Sequence, residues 1–360
     1  MTDAEPTLPL DLEREIFELA ARQYPSSIPS FLRVCHRVHT WLESFLYHVL
    51  DLDDSELVNA IESRLEYEAN EIAALRSRTQ GSFLSRFLHW YSPPVVTPTV
   101  GKRTTFLKTT TRHIVCTTPD IFFNADTQWQ TITRLLRLNP TLFELCVKRY
   151  SATVTTSPSG NRKQLPKEMR PTRLTLQFDR DNYGTVDLTK PLFSAVTHLT
   201  LLNTAVIDRT PESWAHWMLA LPALPALTRL CVTFNIARAI IPHVLSACPR
   251  LQAIVAFWWR DPLPRYQREK VLKSPELAAK DALYNAALNK VNMEAFKRRM
   301  CSMPDVRVVL VGVPDFFDSW ERGARSGNDM WTHVEDFIAR KRRGEIDPTT
   351  YILDKGEPWV

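Results

Sequence analysis

The sequence predicts an α/β fold in which short strands and helical returns alternate along the chain and the strands lie side by side in a parallel sheet. Two observations predict it. The first is a short phrase that occurs twice between Pro225 and Trp259, as Pro225-Ala226-Leu227-Thr228-Arg229-Leu230-Cys231-Val232 and as Pro249-Arg250-Leu251-Gln252-Ala253-Ile254-Val255-Ala256. Each copy reads proline, any residue, leucine, two spacers, an aliphatic residue, one spacer and a further small or aliphatic residue. Its last three positions alternate in and out, as a strand with one buried face requires. Between the copies, Ile236 to Ala247 is long enough for a helical return.

The second observation is recurrence. The aliphatic pair reappears as Leu145/Val147, Leu174/Leu176, Leu199/Leu201, Leu230/Val232, Ile254/Ala256 and Val309/Val311, with Pro140, Pro171 and Pro304 ahead of the first, second and last. Successive anchors stand 29, 25, 31 and 24 residues apart, then 55, and a fainter copy at His113-Ile114-Val115-Cys116 lies 31 residues ahead of Leu145. The first four intervals fall near the roughly 20–29-residue period of leucine-rich repeats, and the last accommodates an insertion. One strand with one helix cannot bury its own apolar face, whereas stacked copies share a continuous core. An ordinary α/β domain with evenly spaced strands would also fit. The joint recurrence of proline and both aliphatic positions favours an irregular leucine-rich-repeat-like solenoid, irregular because the asparagine ladder of regular repeats is absent.

Composition narrows the function classes. At 360 residues the chain can bury a large core and exceeds one compact domain. Its net charge of +5 is too modest to demand a nucleic-acid partner. Nine glycines against twenty-five prolines argue against phosphate-cradling loops and suit a chain that turns at every repeat. The six cysteines show no C-x-x-C pair and read as reduced core thiols. No signal pattern opens the chain and no apolar run approaches about eighteen residues, so the expectation is a cytoplasmic or nuclear protein without a membrane partner.

Residues 8–50 read as helical. Leu8-Pro9-Leu10-Asp11-Leu12-Glu13-Arg14-Glu15-Ile16-Phe17-Glu18-Leu19-Ala20 places proline at a helix start and acids in its first turn, with Leu12, Ile16 and Leu19 on one face. Tyr24 to Pro29 breaks it. A second helical segment runs Ser30 to Leu42, with Phe31, Val34, Cys35, Val38 and Leu42 as its stripe. The Leu-Pro opening, the Ile-Phe-x-Leu face and the Leu-x-Val-Cys of the second segment resemble an F-box. The continuation Trp41-Leu42-Glu43-Ser44-Phe45-Leu46-Tyr47 is similar to F-box-like proteins expanded in mushroom-forming fungi, in which a Leu-Tyr phrase leads into the first repeat strand.

The resemblance implies docking on a Skp-type adaptor of a cullin-RING (SCF-type) ubiquitin ligase, with the repeats holding a protein substrate. By position the adaptor-facing residues are Leu8, Pro9, Leu12, Ile16, Val34 and Cys35; Val38 stands where F-boxes usually carry tryptophan. Residues 1–50 are then an F-box-type helical hairpin and 51–360 the solenoid. The alternative is a hairpin that only caps the solenoid, leaving an interaction scaffold with no link to ubiquitin.

Further along, residues 51–75 carry eight acids against Arg64 alone and form an amphipathic helix on Leu57, Ile61, Leu65, Ile72 and Leu75. Gly81–Tyr91 suggests a short packing helix, Pro93–Pro98 an extended loop and Ser151–Met169 a polar one. Residues 265–300 interrupt the repeat rhythm as a helical insertion, too poor in interleaved aromatics for a nucleic-acid surface. A C-terminal helix over about 328–343 ends in Arg340-Lys341-Arg342-Arg343, cations that suit a helix C-terminus or, on a sharper reading, a nuclear-import signal.

No catalytic motif is present: no G-x-S-x-G, P-loop, G-x-G-x-x-G or H-E-x-x-H. Asp315, Asp318 and Glu321 read as a capped helix start. No catalytic residue, metal site, cofactor or enzyme activity is expected. The open sheet face should carry Arg173, His198 and Arg229 as a polar ridge, then turn apolar at Ala253, Val255, Phe257, Trp259, Val308 and Leu310. Either the 265–300 insertion or the 328–343 helix covers that end, or a substrate does. Arg173, His198, Arg229, Phe257 and Trp259 are the substrate-binding candidates.

Overall fold

The computed structural model describes residues 8–80, 102–117, 126–140, 142–150, 165–178, 186–203, 215–259, 294, 298, 305–313 and 316–353. Eight strands form one sheet in chain order: β1 (Val49–Asp51), β2 (His113–Thr117), β3 (Glu144–Tyr150), β4 (Arg173–Phe178), β5 (His198–Asn203), β6 (Arg229–Thr233), β7 (Ala253–Trp259) and β8 (Val308–Val313). The pairs β1–β2, β4–β5, β5–β6, β6–β7 and β7–β8 are parallel. The recurring aliphatic phrase thus marks neighbouring parallel strands. The chain groups into two compact units, Met1–Cys146 with Val154–Met169, and Val147–Thr153 with Arg170–Val360.

In the first unit, α1 (Leu10–Gln23) follows Pro9 with Asp11 and Glu13 in its first turn. The second helical segment is not continuous. It divides into α2 (Ile28–Phe31) and α3 (His36–Leu46), joined by a turn in which the amides of Arg33 and Val34 donate to the carbonyls of Ser30 and Phe31. Cys35 is extended (φ −163°, ψ 166°). This reset turns Val38 and Leu42 onto Ala21 and Ile28 as a small core, with Phe17 edge-on to Phe31 at 5.9 Å, and leaves Val34 outside it. Helices α4 (Ser55–Gln80), α5 (Lys102–Thr110) and α6 (Asp126–Leu138) complete the unit. His113 on β2 pairs with Glu144 on β3 at 3.0 Å, both buried.

In the second unit the returns between strands differ in kind. A 3-10 turn (Pro191–Phe193) joins β4 to β5, a short α7 (Ala215–Ala220) precedes β6, and a full α8 (Phe234–Ala247) joins β6 to β7. Ile236, Ala237, Ile240, Ile241 and Val244 of α8 are buried. The insertion expected over 265–300 lies outside the described residues, apart from the helical Glu294 and Arg298. The segments expected at Gly81–Tyr91 and Pro93–Pro98 lie outside them too, as does most of the Ser151–Met169 loop.

Two ladders hold the strands in step. Thr172, Thr197 and Thr228 each stand one residue ahead of a strand, and each carbonyl accepts two amides from the start of the next strand. The hydroxyls of Thr197 and Thr228 donate back to the carbonyls of Thr172 and Thr197, at 3.1 and 3.3 Å. These threonines therefore tie the start of each strand to the start of the one before it. The second ladder is the aliphatic row Leu174, Leu199, Leu230, Ile254 and Val308. Its last member corrects the expectation: Val308, not Val309, is in line with Ile254, so Val309 and Val311 share a face with Val255 and Phe257. A one-residue slip exchanges the two faces of a strand.

After β8 come α9 (Phe316–Ser326) and α10 (Met330–Arg342). Asp329 caps α10, its carboxylate accepting from the Thr332 amide at 2.9 Å. Gly344 (φ 76°) ends it, with the amides of Gly344 and Glu345 returning to the carbonyls of Lys341 and Arg340, the double bond of a glycine-terminated helix. The outer edge of β8 is sealed by the chain's own C-terminal part. Leu310 exchanges backbone hydrogen bonds with Tyr351 and Leu353, and the Lys341 ammonium donates to the Val308 carbonyl at 3.2 Å. A lysine thus does the work of a strand amide.

Candidate protein-interaction site

Two surfaces carry the residues singled out in the sequence. The first is the outer face of the N-terminal hairpin. α1 buries Ala21 and half-buries Phe17 against α3, yet its more apolar stripe faces outward. Leu8, Leu12, Ile16 and Val34 are 58, 48, 53 and 59 % exposed. Pro9 is exposed as well, and Cys35 is half-buried at the start of α3. Leu10 and Leu19 extend the same exposed apolar set. Seven of the nine large hydrophobic side chains exposed among the described residues lie between Leu8 and Val34. Leaving such a concentration in water is unfavourable, and on soluble proteins it marks a place that something else covers. The ion pairs Arg14–Glu18 (2.7 Å) and Arg37–Glu13 (2.8 Å) frame the patch without covering it.

The second surface is the sheet face bearing Arg173, His198 and Arg229. The register brings the three together as one row across β4, β5 and β6, but the row is not open. Asp329 pairs with Arg173, Glu335 of α10 pairs with Arg229, and Trp331 stands edge-on to His198 at 5.3 Å. Trp331, Val334, Phe337 and Ile338 of α10 are buried. His198 is buried between two guanidiniums. Its Nδ1 lies 2.7 Å from the Thr197 hydroxyl, and its Nε2 has no hydrogen-bond partner, with Glu335 4.0 Å away. Burial first, and then the charges of Arg173 and Arg229, hold its pKa down to about 3, so the ring is neutral at pH 7.

Comparisons with protein-family models, with curated proteins and with solved structures return no match.

The geometry itself therefore decides what each candidate residue can do. Phe257 is fully buried and meets Phe316 of α9 edge-on at 5.2 Å, which corrects its assignment as a substrate contact. The apolar end of the face is covered by α9, whose start the sequence placed at Asp315, Asp318 and Glu321, together with α10, the expected 328–343 helix, which packs on β7. Trp259 is the last residue of β7, and its side chain lies outside the described residues. Asp318 stands in the first turn of α9 and Glu321 pairs with Arg325 of the same helix, while Asp315 is outside the described residues. The basic run at 340–343 is not a continuous exposed string, because Lys341 is buried against Phe337 and Tyr351. Among the described residues no cluster of histidine, cysteine and acids is placed to hold a metal ion, and no helix is long and apolar enough to cross a membrane. Burial raises the pKa of the Cys231 and Cys248 thiols, so neither is an activated nucleophile.

The sequence reading missed the residues that close the row, Asp329, Trp331 and Glu335. The Thr-[Arg/His]-Leu triplet at 172–174, 197–199 and 228–230 was a legible signal for the threonine ladder.

Proposed function

We propose that this protein is an interaction adaptor that docks through its N-terminal hairpin, and that the partner is the Skp-type adaptor of a cullin-RING ubiquitin ligase, with this chain as substrate receptor. The observation that carries the proposal is the outward apolar stripe of Leu8, Leu12, Ile16 and Val34 on a hairpin that already has its own core. A hairpin serving only as a solenoid cap has no need of a second apolar stripe; this one carries Leu12 and Ile16 exposed on α1 in addition to the inward set of Phe17, Ala21, Ile28, Val38 and Leu42. Val38, at the position where the F-box pattern usually has tryptophan, is fully buried between α1 and α3, so the departure alters the hairpin core and leaves the outer face unchanged. In this reading the mechanism is proximity: the bound substrate is held beside a ubiquitin-conjugating enzyme, and this chain contributes no chemistry of its own. With α10 in place, the substrate does not rest on the Arg173–His198–Arg229 row and uses another surface.

Co-purification tests the proposal. Wild-type protein is expected to retain the Skp-type adaptor, and Ile16→Asp to lose it by at least tenfold with an unchanged melting temperature, because the side chain is already in water. Wild-type protein that captures no adaptor would overturn the ubiquitin reading in favour of a scaffold. Capture undiminished in Ile16→Asp would move the docking surface elsewhere.

A further inference from the structure

Helices α4 and α5 leave an open trough between them. Leu57, Ile61 and Leu65 follow at four-residue steps along α4, Phe106 and Leu107 line it from α5, and Tyr47 joins the lining, edge-on to Phe106 at 5.5 Å. The trough offers a volume of about 420 Å³, open to solvent along one side and within the range of small-molecule sites. Ala60 is a further lining residue and is exposed. Arg64 stands on the same wall, exposed at the mouth.

The charge at that mouth is unusual. Residues 51–75 hold eight acids and Arg64 as their only base, and an arginine with glutamate four residues on would ordinarily pair with it. Glu68 occupies that place but is turned inward, accepting from the Thr104 hydroxyl at 2.6 Å and the Thr104 amide at 3.2 Å. Glu62 and Glu66 fall on other sides of the helix by its period. No carboxylate meets Arg64 among the described residues; its guanidinium lies 5.1 Å from the Tyr67 ring. An apolar trough with one uncompensated guanidinium at its mouth is complementary to an apolar chain ending in a carboxylate.

We propose that the trough between α4 and α5 is a binding site for a small carboxylate amphiphile, its chain among Leu57, Ile61, Leu65 and Leu107 and its head on Arg64. The proposal is independent of adaptor docking.

Titration calorimetry of the full chain with decanoate, decanol and decyltrimethylammonium tests it. Decanoate is expected to saturate a single site, decanol to bind at least tenfold more weakly and the cation most weakly. Octanoate should lose about fourfold for each methylene removed, the equivalent of about 0.8 kcal/mol. Arg64→Leu should bring decanoate and decanol to equal affinity. Ala60→Trp, placed at an exposed position on the wall, should remove binding of both while leaving the unfolding midpoint unchanged. Equal binding of decanoate and decanol by the wild type, uptake without saturation, or undiminished binding in Ala60→Trp would each overturn the proposal. No binding by the wild type would also overturn it and make the trough a seat for a protein segment.

Discussion

His198 shows how a single residue can be visible in sequence while its role is not. Its place between Arg173 and Arg229 follows from strand register alone. Its neutrality follows from burial under Trp331, which no local pattern announces. The consequence is a definite pH dependence. The unfolded chain binds a proton at His198 near pH 6.5, the folded chain only near pH 3. Stability linked to this group is therefore complete above about pH 6.5 and is lost as pH falls toward 3, by at most about 1.4 kcal/mol per pH unit. His198→Gln is expected to flatten the fall in melting temperature between pH 7 and pH 5. An unchanged slope in the variant would assign that acid sensitivity to another group.

Among the elements, the turn joining α9 to α10 decides where the C-terminal helix lies. Gly323, inside α9, is closely approached by the chain that starts α10: a Cβ there would stand 2.7 Å from the Asp329 Cβ and 2.8 Å from its Cα. Asp329 both caps α10 and pairs with Arg173, so displacing it disturbs two contacts at once. Gly323→Ala is expected to cost about 1–3 kcal/mol, the usual range for overpacking, as measured by urea denaturation. A neutral result would show that the turn can shift without losing either contact. The limits of α10 were legible, with an N-capping aspartate at one end and basic residues followed by glycine at the other. The break between α2 and α3 was not. No proline or glycine marks it, and it arises because Val38 and Leu42 must reach Ala21 and Ile28.

On the scale of the whole molecule, Leu199 and Leu230 are paired across β5 and β6, and both are fully buried. Each change to alanine is expected to cost about 2–5 kcal/mol. The double variant should depart from the sum of the two, because the residues share a cavity. Chemical denaturation of the three variants checks this, and additive losses would mean that the row does not behave as one packed layer.

The order and direction of most strands were legible in the sequence, because an aliphatic pair recurs at similar distances from Leu145 to Ile254 and stacked strand–helix units let all of these pairs share one core; β1 carries no copy of the phrase and was not legible. The outward stripe Leu8–Ile16 was equally present in the linear pattern. Two matters were decided by tertiary structure alone. In β8 the run Val308-Val309-Leu310-Val311 is apolar at every position, so alternation carries no information, and only pairing with β7 established which side chains face which way. The covering of the Arg173–His198–Arg229 row depends on partners 156 and 106 residues away, Asp329 for Arg173 and Glu335 for Arg229. Charges that far apart in the chain meet where the apolar side of α10 is buried, and burial is blind to the order in which a chain writes its residues.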